Sequence, residues 1–101
     1  MDERVAQCLL VANVLVADGM MSDLERGFLR NVMDQMGLDD ASRRLVTDLD
    51  GLDEAERVVA TLPEPRRREL LDVLLAAVLV DGKISPHERT MVDRITGALG
   101  L

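Results

Sequence analysis

The chain has 101 residues with 19 acids against 12 bases, a net charge of −7, which suits one domain with a single core burying roughly two thirds of the surface its unfolded chain exposes. That charge opposes binding to nucleic acid or to an anionic membrane surface, both of which need basic stripes, and Phe28 as the lone aromatic residue removes the platforms on which bases stack. The longest apolar run, Val73 to Val80, is eight residues, against about 20 for a membrane span, and Cys8 as the single cysteine excludes an internal disulfide.

With no basic-then-apolar leader, the expectation is a cytoplasmic protein without membrane insertion, whose partners are proteins or cations. Alternation of polar and branched residues is too brief for a strand, so the chain reads as all-α with six helices. The first is expected from about Asp2 to Ala17, with Asn13 its one polar residue from Cys8 onward. The second runs from Asp23 to about Met36, with Leu24, Phe28, Val32 and Met36 four apart on one face and Gly37 as its stop. The third covers Asp40 to Leu49. The fourth covers Glu54 to Leu62, with Asp53 and Glu56 spaced as a capping box.

Pro63 and Pro65 close that helix and open the fifth, about Arg66 to Val80, in which Asp72 is the only polar residue from Leu70 onward. The sixth runs from Pro86 to Leu99, turning Met91, Val92, Ile95 and Leu99 inward, and Gly100 stops it. Helices one and five are apolar nearly all round and are expected at the centre of the bundle.

A short phrase occurs twice, 63 residues apart. Residues 8–38 align on 71–101 without a gap, with Asp18/Asp81, Gly19/Gly82, Ser22/Ser85, Glu25/Glu88, Arg26/Arg89, Gly37/Gly100 and Leu38/Leu101 identical. One domain, residues 1–101, is therefore read as repeat one (1–38), connecting helices (39–62) and repeat two (63–101), the two repeats related by a pseudo-twofold axis. Ser22 with Glu25 and Ser85 with Glu88 are spaced as reciprocal capping boxes, and Pro86 falls at a first helical position.

Capping leaves Asp18 and Asp81 without a role, since a carboxylate at a helix C-terminus opposes the macrodipole. They either brace their own loops, through backbone N–H groups or through Arg26 and Arg89, or hold a divalent cation (Ca²⁺, Mg²⁺ or Mn²⁺) together with Glu25 and Glu88. Neither copy is a working EF-hand loop: Val14 and Val16, or Ala77 and Leu79, stand where the first two ligands belong.

An apolar helix ending in A-D-G-x-[IM]-S-x-x-E-R, then a helix closing in G-L, resembles the TerB family associated with tellurite resistance and the TerB-like domains found elsewhere. The resemblance rests on Asp18, Gly19, Ser22, Glu25 and Arg26 and their echo at Asp81, Gly82, Ser85, Glu88 and Arg89. It implies a compact α-fold of two structural repeats, a non-enzymatic, stress-associated binding or adaptor role in bacteria, and a cation-binding acidic surface. The competing class is a metal-dependent hydrolase using the same carboxylates, which would need them to converge in a pocket.

His87, with Leu24 as its counterpart, is expected to face solvent, and Cys8 to be an inert core thiol. Arg66, Arg67 and Arg68 oppose the dipole at a helix start; Glu64, Glu69 and Asp72 are their expected partners, a docking patch for an acidic partner being the alternative. Met20, Met21, Met33 and Met36 are read as adaptable core filler around the second helix.

Overall fold

In a computed structural model, residues 1–17, 19–80, 82 and 84–101 are described. Six helices follow in chain order: α1 (Glu3–Leu15), α2 (Asp23–Gln35), α3 (Asp40–Thr47), α4 (Leu52–Ala60), α5 (Glu64–Val78) and α6 (Pro86–Ala98). Among the described residues there is no strand. The helix starts are set by local chemistry. Asp2 accepts from the Arg4 backbone N–H at 2.7 Å, and Asp39 from that of Ser42 at 2.8 Å, each carboxylate satisfying an orphan donor of the first turn.

Two starts differ from the sequence reading. The helix α4 begins at Leu52, because Gly51 takes a left-handed φ of 92° and turns the chain into the helix early. Asp53 then lies inside the first turn, no side chain caps α4, and the expected Asp53/Glu56 box is replaced by a pair of acceptors for Arg94 of α6, at 2.9 and 2.8 Å. The helix α5 begins at Glu64, two residues before the expected Arg66, with Pro65 in the first turn where a missing N–H costs nothing. At other ends the helices stop short: α1 at Leu15, and α3 at Thr47, beyond which Leu49 takes a φ of 60°.

The core is built round α1. Val5 to Ala12, Val14 and Leu15 are buried, and all five other helices pack on α1, α4 and α3 most extensively. Its two polar interior groups are satisfied within the helix: Gln7 donates to the Glu3 carbonyl at 3.2 Å and Asn13 to the Leu9 carbonyl at 2.8 Å, as buried amides must.

The expectation of a second central helix is corrected. Although α5 is as apolar as α1 in its C-terminal half, it packs on α1 and α6, and only Leu70, Leu74, Ala77 and Val78 are buried. Leu75 and Leu79 remain 44 % and 57 % exposed. The reason is the placement of α3 and α4, which lie against α1. At the offset of 63, Val5, Leu9 and Ala12 of α1 are buried where Arg68, Asp72 and Leu75 of α5 are exposed.

The repeat reaches into the helix ends. Shifting α2 by 63 residues gives the bounds of α6, and α1 and α5 end 63 residues apart. Gly37 and Gly100 have φ of 68° and 70°, and Leu38 and Leu101 donate back to the carbonyls of Met33 and Thr96 at 3.1 and 3.2 Å, the same C-terminal closure twice. Arg4 and Arg67, equivalent by the offset, donate to the carbonyls of Met36 and Leu99. Glu3 and Arg66 are also equivalent by the offset, and they pair with each other at 2.8 Å.

Candidate functional site

Both copies of the capping box are formed. The Ser22 Oγ accepts from the Glu25 backbone N–H at 3.2 Å while Glu25 Oε1 accepts from the Ser22 N–H at 2.9 Å. The corresponding distances at Ser85 and Glu88 are 3.0 and 3.2 Å. Glu25 and Glu88 are buried, at 4 % and 2 % exposure. One carboxylate oxygen of each is thus held by the backbone at the start of its own helix.

Asp18 and Asp81, the other two members of the expected cation set, lie outside the described residues. Among the described residues no group of three or more His, Cys, Asp or Glu side chains is placed to hold a metal ion. Arg26, one of the two arginines considered as a loop brace, pairs with Asp23 at 3.5 Å. Its counterpart Arg89 forms no ion pair among the described residues, because the position of Asp23 is taken by Pro86.

The remaining candidates separate cleanly. Cys8 has no exposed surface, and burial pushes its thiol up to about 11, with the Arg43 charge opposing, so the reactive thiolate is suppressed. His87 is exposed. Of the arginine run, Arg68 pairs with Glu64 at 2.8 Å, but Arg66 reaches Glu3 on α1, and Arg67 donates to the Leu62 and Leu99 carbonyls. All three cations thus have partners within the chain, 4, 63 and up to 32 residues away. Arg66 and Arg68 keep 41 % and 64 % of their side chains exposed, and Glu69 and Asp72 take no part in the pairing among the described residues. Of the methionines, Met33 is buried while Met20 is 83 % exposed.

A feature missed from sequence is a groove of about 470 Å³ between α5 and α6, floored by Val78 and Val92 and walled by Leu75 and Ile84. Asp72 and Arg68, one and two turns before Leu75 on the same stripe, were the available signal. Charged residues in that stripe mark it as a surface face.

With the fold and loops in place, comparison with known families is decisive. The family model described as tellurite resistance protein TerB matches residues 46–101, more than half of the chain. The chain belongs to the TerB family. The matched TerB segment takes in α4, α5, the second copy of the phrase and α6; the first copy repeats the same caps and stops upstream of it. No curated protein and no solved structure matches the chain. No helix among the described residues is long and apolar enough to cross a membrane.

Proposed function

We propose that this TerB-family chain is a non-enzymatic binding or adaptor module of a bacterial stress system of the tellurite-resistance type, working in the cytoplasm through a protein partner. The observation that carries this reading is the use of Glu25 and Glu88: both are committed to capping boxes at the starts of α2 and α6. Neither lines the α5–α6 groove or the groove between α2 and α5, whereas a metal-dependent hydrolase built on the same carboxylates needs them convergent around a substrate cavity. The experiment is affinity capture from a bacterial host grown with and without tellurite, followed by reconstitution from purified components. A stoichiometric partner that rebinds in pure form supports the adaptor reading. Metal-dependent turnover of a generic phosphoester by the purified chain, lost in Asp81→Asn, overturns it.

The same reading assigns a divalent cation to the repeated loops through Asp18 and Asp81, the residues of the phrase that capping leaves without a role. A ligand that binds only the folded state stabilises it by RT ln(1 + [L]/Kd), about 2.7 kcal/mol at a hundredfold excess over Kd. Ca²⁺, Mg²⁺ or Mn²⁺ is expected to raise the melting temperature of the wild type, and the double change Asp18→Asn and Asp81→Asn to abolish that rise. A wild type indifferent to millimolar metal removes the cation and leaves both aspartates as loop braces.

A further inference from the structure

The α5–α6 groove carries an apolar surface with no counterpart in the first repeat. Leu75 and Ile84 are 44 % and 54 % exposed around a buried floor of Val78 and Val92. A groove with apolar walls and a charged rim offers a surface on which another can dock. The first repeat shows what such a face does: Val5, Leu9 and Ala12, equivalent to Arg68, Asp72 and Leu75, are buried on α1, the helix against which α3 and α4 pack.

Charge selects the occupant. Arg89 and Asp93 stand one turn apart on the α6 rim of the groove, and neither forms an ion pair among the described residues. A base followed four residues later by an acid is the less favourable order for pairing within a helix. It is, however, the pattern a self-complementary surface needs. A twofold axis passing between the two positions sets Arg89 of each copy against Asp93 of the other, because in an isologous interface every contact occurs twice.

We propose that the α5–α6 groove is the seat of a second copy of this chain, in a twofold dimer with Leu75 and Ile84 at its centre and reciprocal Arg89–Asp93 pairs at its rim. The net charge of −7 on each copy repels at long range but is screened beyond ~8 Å at physiological ionic strength. Apolar contact and local pairing therefore decide the outcome there.

The test is the solution mass of the full chain by light scattering at about 100 µM protein, a concentration at which even a modest dimer is populated. The wild type is expected at twice its 11.1 kDa. Arg89→Glu alone and Asp93→Arg alone each set two like-charge pairs across the axis and are expected to run as monomers. An equimolar mixture of the two variants restores both opposite-charge pairs and is expected to recover the dimeric mass. Both positions are exposed, so the helical circular dichroism of either variant should match the wild type. Ile84→Glu, on an exposed loop position, gives an independent monomer. A monomeric wild type overturns the proposal, as does a dimer that survives both charge reversals and Ile84→Glu.

Discussion

Leu74 and Leu75 are neighbours in sequence about 100° apart around α5, one buried and one half-exposed, and truncating each to Ala measures how that helix is covered. Leu74 has no exposed surface, so Leu74→Ala removes buried methyl groups and leaves a cavity, a loss of about 2–5 kcal/mol. Leu75 keeps 44 % of its surface in water. Full burial of a leucine is worth about 1.5–3 kcal/mol, so roughly half of that is at stake and no cavity forms. The higher helix propensity of Ala returns a few tenths, leaving a net cost of about 1 kcal/mol for Leu75→Ala. In a domain of this length each kcal/mol moves the melting temperature by roughly 4–8 °C, so Leu74→Ala should melt below Leu75→Ala by about 4 °C at the least and by up to about 30 °C.

The chain has no Trp or Tyr, so the assay is circular dichroism at 222 nm under heat and urea. A protein concentration of about 5 µM keeps self-association from adding to stability. Equal losses for the two variants would mean that α5 is enclosed on all sides, refuting the one-sided packing described above.

Three further outcomes are expected. Ser22→Ala and Ser85→Ala should each lower stability by about 1 kcal/mol in urea unfolding, the usual cost of an N-cap acceptor; a neutral Ser85→Ala would count against the capping box. Cys8 should resist a thiol reagent at about pH 8 in the native state and react once urea unfolds the chain, whereas rapid native labelling would contradict its burial. On acidification, Asp2 and Asp39 are held below their ordinary 3.8 by backbone N–H donors, and Glu64 below 4.5 by the Arg68 side chain. These lowered values contribute stability above the unfolded-state pKa that is lost as pH falls through the folded values. The urea midpoint should therefore hold above about pH 5 and drop below about pH 4, with Asp2→Asn shallower in acid; an unchanged midpoint at low pH would argue against this account.

What was legible in the sequence is what local chemistry decides. The six helices, the two Ser–Glu boxes and the glycine stops at 37 and 100 each depend on residues within one turn of one another, and the 63-residue offset doubles the signals outside α3 and α4. Features decided at long range were not legible. Asp53 and Glu56 have capping spacing, yet a left-handed Gly51 and an arginine about 40 residues on, Arg94, redirected them. Nothing in the apolarity of α5 reveals that α3 and α4 lie on α1 instead. For the candidate site, the roles of Glu25 and Glu88 followed from spacing alone, whereas the proposed use of Asp18 and Asp81 depends on how two distant loops sit in space.

The Glu3–Arg66 contact bears on how the two halves find each other. At an axis of twofold symmetry a residue meets its own equivalent, so identical halves would bring like charges face to face. Here the equivalents have diverged to opposite signs and meet at 2.8 Å. As an exposed ion pair the contact contributes little stability, typically under ~1 kcal/mol, but its value lies in discrimination between assemblies. Pairing a first half with another first half would oppose two glutamates, and pairing two second halves would oppose two arginines. The sign change at this one position thus favours the contact between unlike halves over a contact between like ones.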